Sequence, residues 1–173
     1  MKSELLDIIC RIKNRCNHSP GKKQLHKLVY LIQAKGYDLG YEYGIHFYGP
    51  YSDDMNRDLI SLCVNGDIEF QIEGLTHKIV PILDDMHSIP SPDTALVEWV
   101  IDTYKDYNAS RLELLTTVHF IAVNLGSSDN EILTGVKRIK GNKYPESDIM
   151  EAISHIRQEY LTSISEDVIL TTK

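Results

Sequence analysis

The sequence predicts a mainly helical α+β fold, and two patterns within its 173 residues support this prediction. Apolar residues recur at spacings of three and four through most of the chain, which is the period of amphipathic helices. Residues 68–73 instead alternate apolar and polar side chains, as a half-buried strand does, and Gly74 turns the chain toward residues 77–82, which indicates a β-hairpin. A hydrophobic content of 42% is enough to form a core. We therefore expect a helical protein that contains a β-hairpin.

Two amphipathic helices are predicted before residue 36. The first begins at Ser3, a good N-cap, and ends at residues 17–21, NHSPG. The second covers residues 22–35 and ends at Gly36. The buried faces of the two helices comprise Leu5, Ile8, Ile9 and Ile12, and Leu25, Leu28, Val29 and Ile32. The outer face of the second helix is expected to present Lys23, Lys27 and His26.

Residues 44–52, GIHFYGPYS, are expected to form a buried connector between the second and third helices. A short extended piece should precede Gly49 and Pro50. This Gly-Pro pair cannot continue a helix, and it imposes a sharp change of direction. Apolar and aromatic side chains are predicted to pack around the pair: Ile45, Phe47, Tyr48 and Tyr51.

A third helix and a β-hairpin complete the N-terminal half. Ser52 is the predicted N-cap, Asp53 and Asp54 suit the positive end of the helix, and Gly66 ends it. The inward side chains are predicted to be Met55, Leu59, Leu62 and Cys63 in the helix, and Ile68, Phe70 and Ile72 in the hairpin. Three helices followed by a hairpin is the order of elements in a winged helix. The N-terminal half is therefore predicted to be winged-helix-like.

The C-terminal half is predicted to be helical and to pack against the N-terminal half as one unit. Capping boxes are expected at Ser110 with Glu113 and at Ser128 with Glu131, and Ser147 should begin the last helix. The stretch LDDMHSIPSP contains two prolines and is the expected linker. The predicted divisions are residues 1–82, a linker at 83–92, a helical half at 93–164, and a tail at 165–173.

Composition and charge narrow the classes of function. The formal net charge of −7 weighs against nonspecific binding to nucleic acid or to an anionic membrane, because both require a basic surface. No signal peptide and no run of about 20 apolar residues is visible, so we expect a cytoplasmic protein without a membrane partner. Cys10, Cys16 and Cys63 match no common zinc spacing, so no disulfide, metal or cofactor is expected.

Seven histidines raise the question of catalysis, chiefly His26, His46 and His119. The chain has no HExxH motif, no paired histidines at metal spacing, no glycine-rich phosphate loop and no nucleophile elbow. His46 and His119 lie beside apolar residues, which favours structural histidines over catalytic bases. We therefore predict no intrinsic catalysis. An enzyme site assembled in space from distant residues stays open as the less favoured alternative.

Three stretches, GKKQLHKLVYLIQAKG, HFYGPYS and DLISLCVNGDI, resemble in order and spacing the YwgA-like family of bacterial proteins. LELLTTVHFIA and KYPESDIMEAISHIR extend this resemblance over most of the chain. The first half is also similar, more distantly, to the Panacea antitoxin domain, also called SocA-like. The matching positions are Lys23, Leu25, Lys27, Leu28, Tyr30, Leu31, Gly36, Phe47, Tyr48, Gly49 and Pro50.

The Panacea resemblance implies a non-enzymatic antitoxin that binds and neutralises a partner protein. The chain departs from the Panacea pattern in the length of the segment between Gly36 and Phe47 and in its long helical C-terminal half. The YwgA resemblance implies no particular activity. The motif residues of both families are interpreted as structural.

Two parts of the sequence are candidates for binding a partner. A basic cluster comprises Lys13, Arg15, His18, Lys22, Lys23, His26 and Lys27. It is either a solvated face or a docking patch for nucleic acid or an acidic protein. The tyrosines between residues 37 and 51 suit either a protein-binding face, with Tyr41 and Tyr43 the most exposed, or a cover for the Gly-Pro connector.

The predicted function is a non-enzymatic protein-binding module with an antitoxin-like, adaptor or regulatory role in bacteria, phage or plasmid. Its partner would be another protein, such as a toxin or an effector. The predicted partner-binding residues are Tyr41, Tyr43, Tyr51, Lys22, Lys23, His26 and Lys27. The alternative is a winged-helix nucleic-acid-binding regulator. Its recognition helix, residues 52–65, would carry three aspartates against the single Arg57 and would repel phosphate.

Overall fold

The computed structural model describes residues 2–82, 92–126 and 128–161. Seven α-helices and two antiparallel β-hairpins occur within these residues, which confirms the predicted mainly helical α+β class. The chain divides into two compact units, Met1–Leu112 and Glu113–Lys173. No described helix is long and apolar enough to cross a membrane.

The first unit contains four complete helices and both hairpins. Its elements are α1 (Lys2–Cys16), α2 (Lys22–Ala34), β1 (Gly44–His46), β2 (Gly49–Tyr51), α3 (Asp53–Asn65), β3 (Ile68–Glu73), β4 (Thr76–Pro81) and α4 (Pro92–Tyr104). Helix α5 (Ala109–Asn124) begins in this unit and crosses its boundary. α1 packs against α3, α4 and β4, and α2 packs against α4, β2 and β4. The predicted apolar faces of α1 and α2 are buried in this core.

Helix α3 has the ends that the sequence predicts. The hydroxyl oxygen of Ser52 accepts a hydrogen bond from the backbone N–H of Met55, which satisfies one of the first-turn amides. Gly66 ends the helix at φ +81°, a left-handed conformation that strains any residue with a Cβ. Met55, Leu59 and Leu62 are buried as predicted, whereas Cys63 is half-buried.

The hairpin β3–β4 is paired from Ile68 with Pro81 to Glu73 with Thr76. Only its inner end is buried, at Ile68, Ile79 and Pro81. The prediction that Ile72 faces inward is wrong, because its side chain is 77% exposed. The alternation of apolar residues continues past the point where the hairpin leaves the core. The exposed end therefore projects into solvent.

Residues 44–51 form a second short hairpin, in which β1 pairs with β2. The extended piece before Gly49 is confirmed, and β2 is an element that the sequence analysis did not anticipate. Gly49 and Pro50 are buried as expected of a connector. The prediction that Phe47 and Tyr48 pack around them is wrong, because they form the turn and are 72% and 49% exposed.

The second unit contains the rest of α5, α6 (Asp129–Lys140), α7 (Glu146–Ile156) and a π-helical turn (Arg157–Leu161). The predicted capping box of Ser128 and Glu131 is confirmed at the start of α6. The capping box predicted at Ser110 is wrong, because the side chain of Asn108 instead accepts from the N–H of Arg111. α7 begins at Glu146, one residue before Ser147, and Pro145 is its N-cap residue.

A buried ionic cluster joins α5 to α6 and the loop after it. Oε1 of Glu113 lies 2.8 Å from Nζ of Lys140 and 2.8 Å from Nζ of Lys143. The side chains of Glu113 and Lys140 are 7% and 2% exposed. Burial opposes ionisation of the carboxyl, but the two lysines outweigh it and lower the pKa of Glu113. The cluster has a structural explanation and needs no ligand.

Two predictions about organisation are not tested. Residues 83–91 of the predicted linker and the predicted tail, 165–173, lie outside the described residues.

α4 packs against α1 and α2 within the first unit, although the sequence assigned it to the C-terminal half. The order of α1, α2, α3 and β3–β4 is that of a winged helix with an added hairpin, and the winged-helix assignment stays a prediction.

Candidate anion-binding pocket

A pocket of about 700 Å³ lies in the first unit, between the first two turns of α2, the two hairpins and the start of α5. We call it the basic pocket. Its wall contains four lysines and three histidines: Lys22, Lys23, Lys27, Lys78, His26, His46 and His77. No aspartate or glutamate of the described residues lines it. This charge imbalance is notable because the whole chain carries a net charge of −7.

Helix α2 supplies the lysines and the histidine that the sequence analysis singled out. Lys22, Lys23, His26 and Lys27 recur at spacings of one, three and four residues, so they share one side of the helix. Lys22 is half-buried and Lys23 is exposed. The prediction that His26 and Lys27 lie on an outer face is wrong, because they are 1% and 4% exposed. Strand β2 packs against this side of α2 and covers it.

Lys27 connects α2 to the β1–β2 hairpin. Its ammonium nitrogen donates a hydrogen bond of 2.6 Å to the backbone carbonyl of Pro50. A buried charge is costly unless it is paired or hydrogen-bonded, and this contact supplies an acceptor. Lys27 therefore contributes positive potential to the pocket and also holds the Gly-Pro segment in place.

His26 is buried in the pocket wall and stacks on Tyr51, with ring centroids 4.4 Å apart and planes inclined by 18°. Within the described residues, neither Nδ1 nor Nε2 of His26 has a hydrogen-bond partner. Burial, reinforced by the charges of Lys27 and Lys22, lowers the pKa of His26 from 6.5 to about 3. The imidazole is therefore neutral at pH 7, with one N–H donor and one acceptor nitrogen.

The rim of the pocket is aromatic and apolar. Nζ of Lys23 lies 3.7 Å from the ring centroid of Tyr48, which is a cation–π contact. Phe47 packs edge-on against Tyr48, with ring centroids 5.2 Å apart. Leu75, in the β3–β4 turn, is fully exposed and also lines the pocket. Exposed apolar side chains therefore surround a basic interior.

Two of the predicted partner-binding tyrosines belong to the scaffold. The prediction that Tyr41 is exposed is wrong, because it is 4% exposed and its hydroxyl donates to Asp58 at 3.0 Å. Tyr43 is half-buried, and its ring meets Tyr30 edge-on at 5.0 Å. Burial raises the pKa of both phenols, which stay protonated. Tyr51 does line the pocket, as the partner of His26.

Two helices begin at the basic pocket. α2 starts after Gly21, and no side chain caps its first-turn amides. α5 starts after Asn108, and Asn108 and Ala109 both line the pocket. The N-terminus of a helix carries partial positive charge and backbone N–H donors, which favour an anion. The two helix starts therefore add to the positive potential of the lysines.

The remaining chemistry-bearing residues do not join this site. His119 is buried in the second unit, where its ring lies 5.4 Å from that of Tyr160. Burial lowers the pKa of His119 to about 4. Cys10, Cys16 and Cys63 form no disulfide within the described residues. In the described part of the chain, no three His, Cys, Asp or Glu side chains are placed to hold a metal ion.

A comparison with known proteins finds a bacterial relative of similar length. The chain is 28% identical over 149 residues to the uncharacterised protein YwgA of Bacillus subtilis (strain 168), a match that covers 80% of this chain and 86% of YwgA. The chain is therefore similar to YwgA over most of its length. No protein-family model matches it. The YwgA resemblance expected from the motifs is thus supported, whereas the more distant relation to the Panacea domain stays a prediction.

Sequence reasoning found one half of the pocket and missed the other. Leu75, His77, Lys78 and Tyr107 come from segments in which nothing in the sequence indicated a site. A stronger signal for the α2 half was present: residues 8–37 contain no Asp or Glu, although the chain has 25. A stretch without acidic residues in an acidic protein indicates a locally positive surface.

Proposed function

We propose that this protein is a non-enzymatic protein-binding module, with an antitoxin-like, adaptor or regulatory role, that binds an acidic segment of a partner protein at the basic pocket. The observation that carries the proposal is the charge contrast between this pocket and the rest of the chain. Four lysines and no described carboxylate line the pocket, while the chain as a whole has a net charge of −7. The positive pocket attracts a negatively charged partner, whereas the acidic remainder of the surface repels it.

The rim supports a protein partner in particular. Phe47, Tyr48 and Leu75 expose large apolar side chains around the basic interior. Aromatic and apolar anchors at the centre of a contact contribute most of the binding energy in protein interfaces, and surrounding charges provide orientation and specificity. The expected partner segment therefore combines aspartate or glutamate with at least one apolar residue.

The protonation behaviour of the buried histidine supports a binding role over catalysis. A general base works best with a pKa near the operating pH. The pKa of His26 is about 3, so its imidazole is a weak base at pH 7. Lys27 is already hydrogen-bonded to Pro50, which ties it to the fold.

The nucleic-acid alternative has less support. Helix α3, which a winged helix would use for recognition, carries Asp53, Asp54 and Asp58. Its single basic residue, Arg57, is paired with Asp54. Phosphates would meet net negative charge there. Either DNA or an acidic protein could bind at the basic pocket. The test therefore includes both kinds of ligand.

Fluorescence anisotropy with defined ligands tests the proposal. The ligands are an acidic peptide that contains leucine and phenylalanine, the same peptide with serine at the apolar positions, the same peptide with lysine in place of each acidic residue, and a double-stranded DNA oligonucleotide. The proteins are the wild type, the double variant Lys22→Gln/Lys23→Gln, and the control Arg138→Gln, which removes an exposed charge in the other unit.

We expect the acidic apolar peptide to bind most tightly. The double variant should weaken its binding about tenfold, because each of the two lysine charges contributes roughly 0.7 kcal/mol, while Arg138→Gln should leave the binding unchanged. The proposal would be contradicted if the lysine-containing peptide bound as tightly as the acidic one. It would also be contradicted if the double variant bound the acidic peptide as tightly as the wild type does. Tighter binding of DNA than of any peptide would support the nucleic-acid alternative instead.

A further inference from the structure

We propose that the inner part of the basic pocket is a binding site for a small phosphate monoester, such as a sugar phosphate or a nucleoside monophosphate. This inference goes beyond the protein-binding proposal and does not depend on it. It concerns the wall formed by the first two turns of α2 and by β4. Three features of that wall carry the argument: the start of α2, the ring of His26, and the set of lysines.

The start of α2 is held close to strand β4. The backbone N–H of Ile79 donates to the carbonyl of Pro20 at 2.9 Å, and Gly21 is bridged to Lys78. A Cβ at Gly21 would lie 2.9 Å from Cγ2 of Thr76, a distance that real Cβ atoms essentially never show. Glycine therefore permits this approach. It also leaves the first-turn amides of α2 without a side-chain cap.

His26 provides the second and independent feature. Its ring is 1% exposed, it lines the pocket, and within the described residues neither of its nitrogens has a hydrogen-bond partner. Buried polar atoms in native proteins are nearly always paired, so an unpaired buried imidazole needs an explanation. A phosphate oxygen is a strong acceptor, and the N–H of the neutral imidazole can donate to it.

The lysines favour a doubly charged group over a single carboxylate. Lys22, Lys23 and Lys78 all line one pocket. Lys78 lies 3.6 Å from a carboxylate oxygen of Glu73, a side chain that is 75% exposed. A phosphate monoester carries a charge of about −1.5 to −2 at pH 7 and three acceptor oxygens, so it can engage several donors together. A carboxylate offers less charge and two oxygens.

The size of the pocket leaves room for the organic part of such a ligand. A volume of about 700 Å³ falls in the usual range for small-molecule sites. The rings of Tyr48 and Tyr107 lie on the pocket wall and offer apolar surface to a sugar or a base. A phosphate oriented toward α2 and His26 would place the rest of the molecule against these rings.

Isothermal titration calorimetry on the full chain tests the site without any protein partner. The ligands are ribose 5-phosphate, adenosine 5′-monophosphate, inorganic phosphate and, as the uncharged control, adenosine. We expect both monoesters to bind and adenosine not to bind. Tighter binding of the nucleotide than of the sugar phosphate would assign a role to the tyrosines, and equal binding would assign recognition to the phosphate alone. Inorganic phosphate should compete with both.

Variants locate the site. We expect Lys22→Gln/Lys23→Gln to weaken the monoesters at least tenfold and His26→Phe to weaken them about fivefold, while Arg138→Gln has no effect. Circular dichroism shows whether the variants are folded. If His26→Phe does not fold, the lysine variant still tests the site. Absence of binding at millimolar concentration, equal binding of adenosine, or affinity unchanged by the lysine variant would overturn the inference. Peptide binding measured separately distinguishes this failure from failure of the protein-binding proposal.

Discussion

The burial of His26 predicts that the protein loses stability in mildly acidic solution, and that His26→Phe removes part of this loss. The pKa of His26 is about 3 in the folded protein and 6.5 in an unfolded chain. Between these values the unfolded state binds a proton that the folded state does not, so the free energy of unfolding falls as pH decreases from about 6.5 to about 3. Between pH 7 and pH 5 this histidine alone should cost about 2 kcal/mol.

His119 contributes a similar amount. Burial lowers its pKa from 6.5 to about 4, so it should also cost about 2 kcal/mol between pH 7 and pH 5. The wild type is therefore expected to lose about 4 kcal/mol over this interval if both units unfold together, and His26→Phe about 2 kcal/mol. At pH 7 the variant should lie within about 1 kcal/mol of the wild type, because phenylalanine keeps the stacking on Tyr51 and removes two unpaired nitrogens.

Urea unfolding followed by circular dichroism at pH 7 and pH 5 measures these differences. His77→Phe is a matched control, because His77 is exposed at the end of the β3–β4 hairpin. The reasoning is refuted if His26→Phe loses as much stability between the two pH values as the wild type does. It is also refuted if the His77 variant removes the same part of the pH dependence.

Three further predictions concern the scaffold and are measured by chemical unfolding at pH 7. Ser52→Ala should cost about 1 kcal/mol, because the N–H of Met55 loses its side-chain acceptor; Ser52→Asp, which keeps an acceptor, should cost less. Gly66→Ala should cost about 1 kcal/mol through left-handed strain at φ +81°, and a neutral result would contradict that explanation. Glu113→Ala should cost about 3 kcal/mol, because Lys140 loses its buried carboxylate, and a loss below about 1 kcal/mol would show that the pair is not effectively buried.

Most local features of the fold could be predicted from the sequence. The buried faces of α1 and α2, the N-cap at Ser52 and the glycine at the end of α3 were correct, because each depends on residues within about one helical turn. The errors occurred where a local pattern was compatible with both burial and exposure. The apolar alternation through Ile72 is compatible with burial, but the strand extends beyond the core that would bury it.

The candidate site was predictable only in part. Lys22, Lys23, His26 and Lys27 stood out as a basic cluster, and they do line one pocket. The burial of His26 and Lys27 was not predictable, because a helix in isolation exposes them. The tyrosines misled the analysis for the same reason: tyrosine suits both core and interface, and Tyr41 proved to be a core residue bonded to Asp58.

By itself, the sequence determined the class of fold, the ends of most helices, the acidic net charge and the basic character of α2. These properties depend on composition and on interactions between near neighbours. The tertiary structure decided which basic groups face each other, since Lys78 lies beside the start of α2 where β4 is bridged to Gly21. It also decided that His26 is buried, neutral and unpaired within the described residues, because burial and the field of nearby lysines arise only when distant segments pack together.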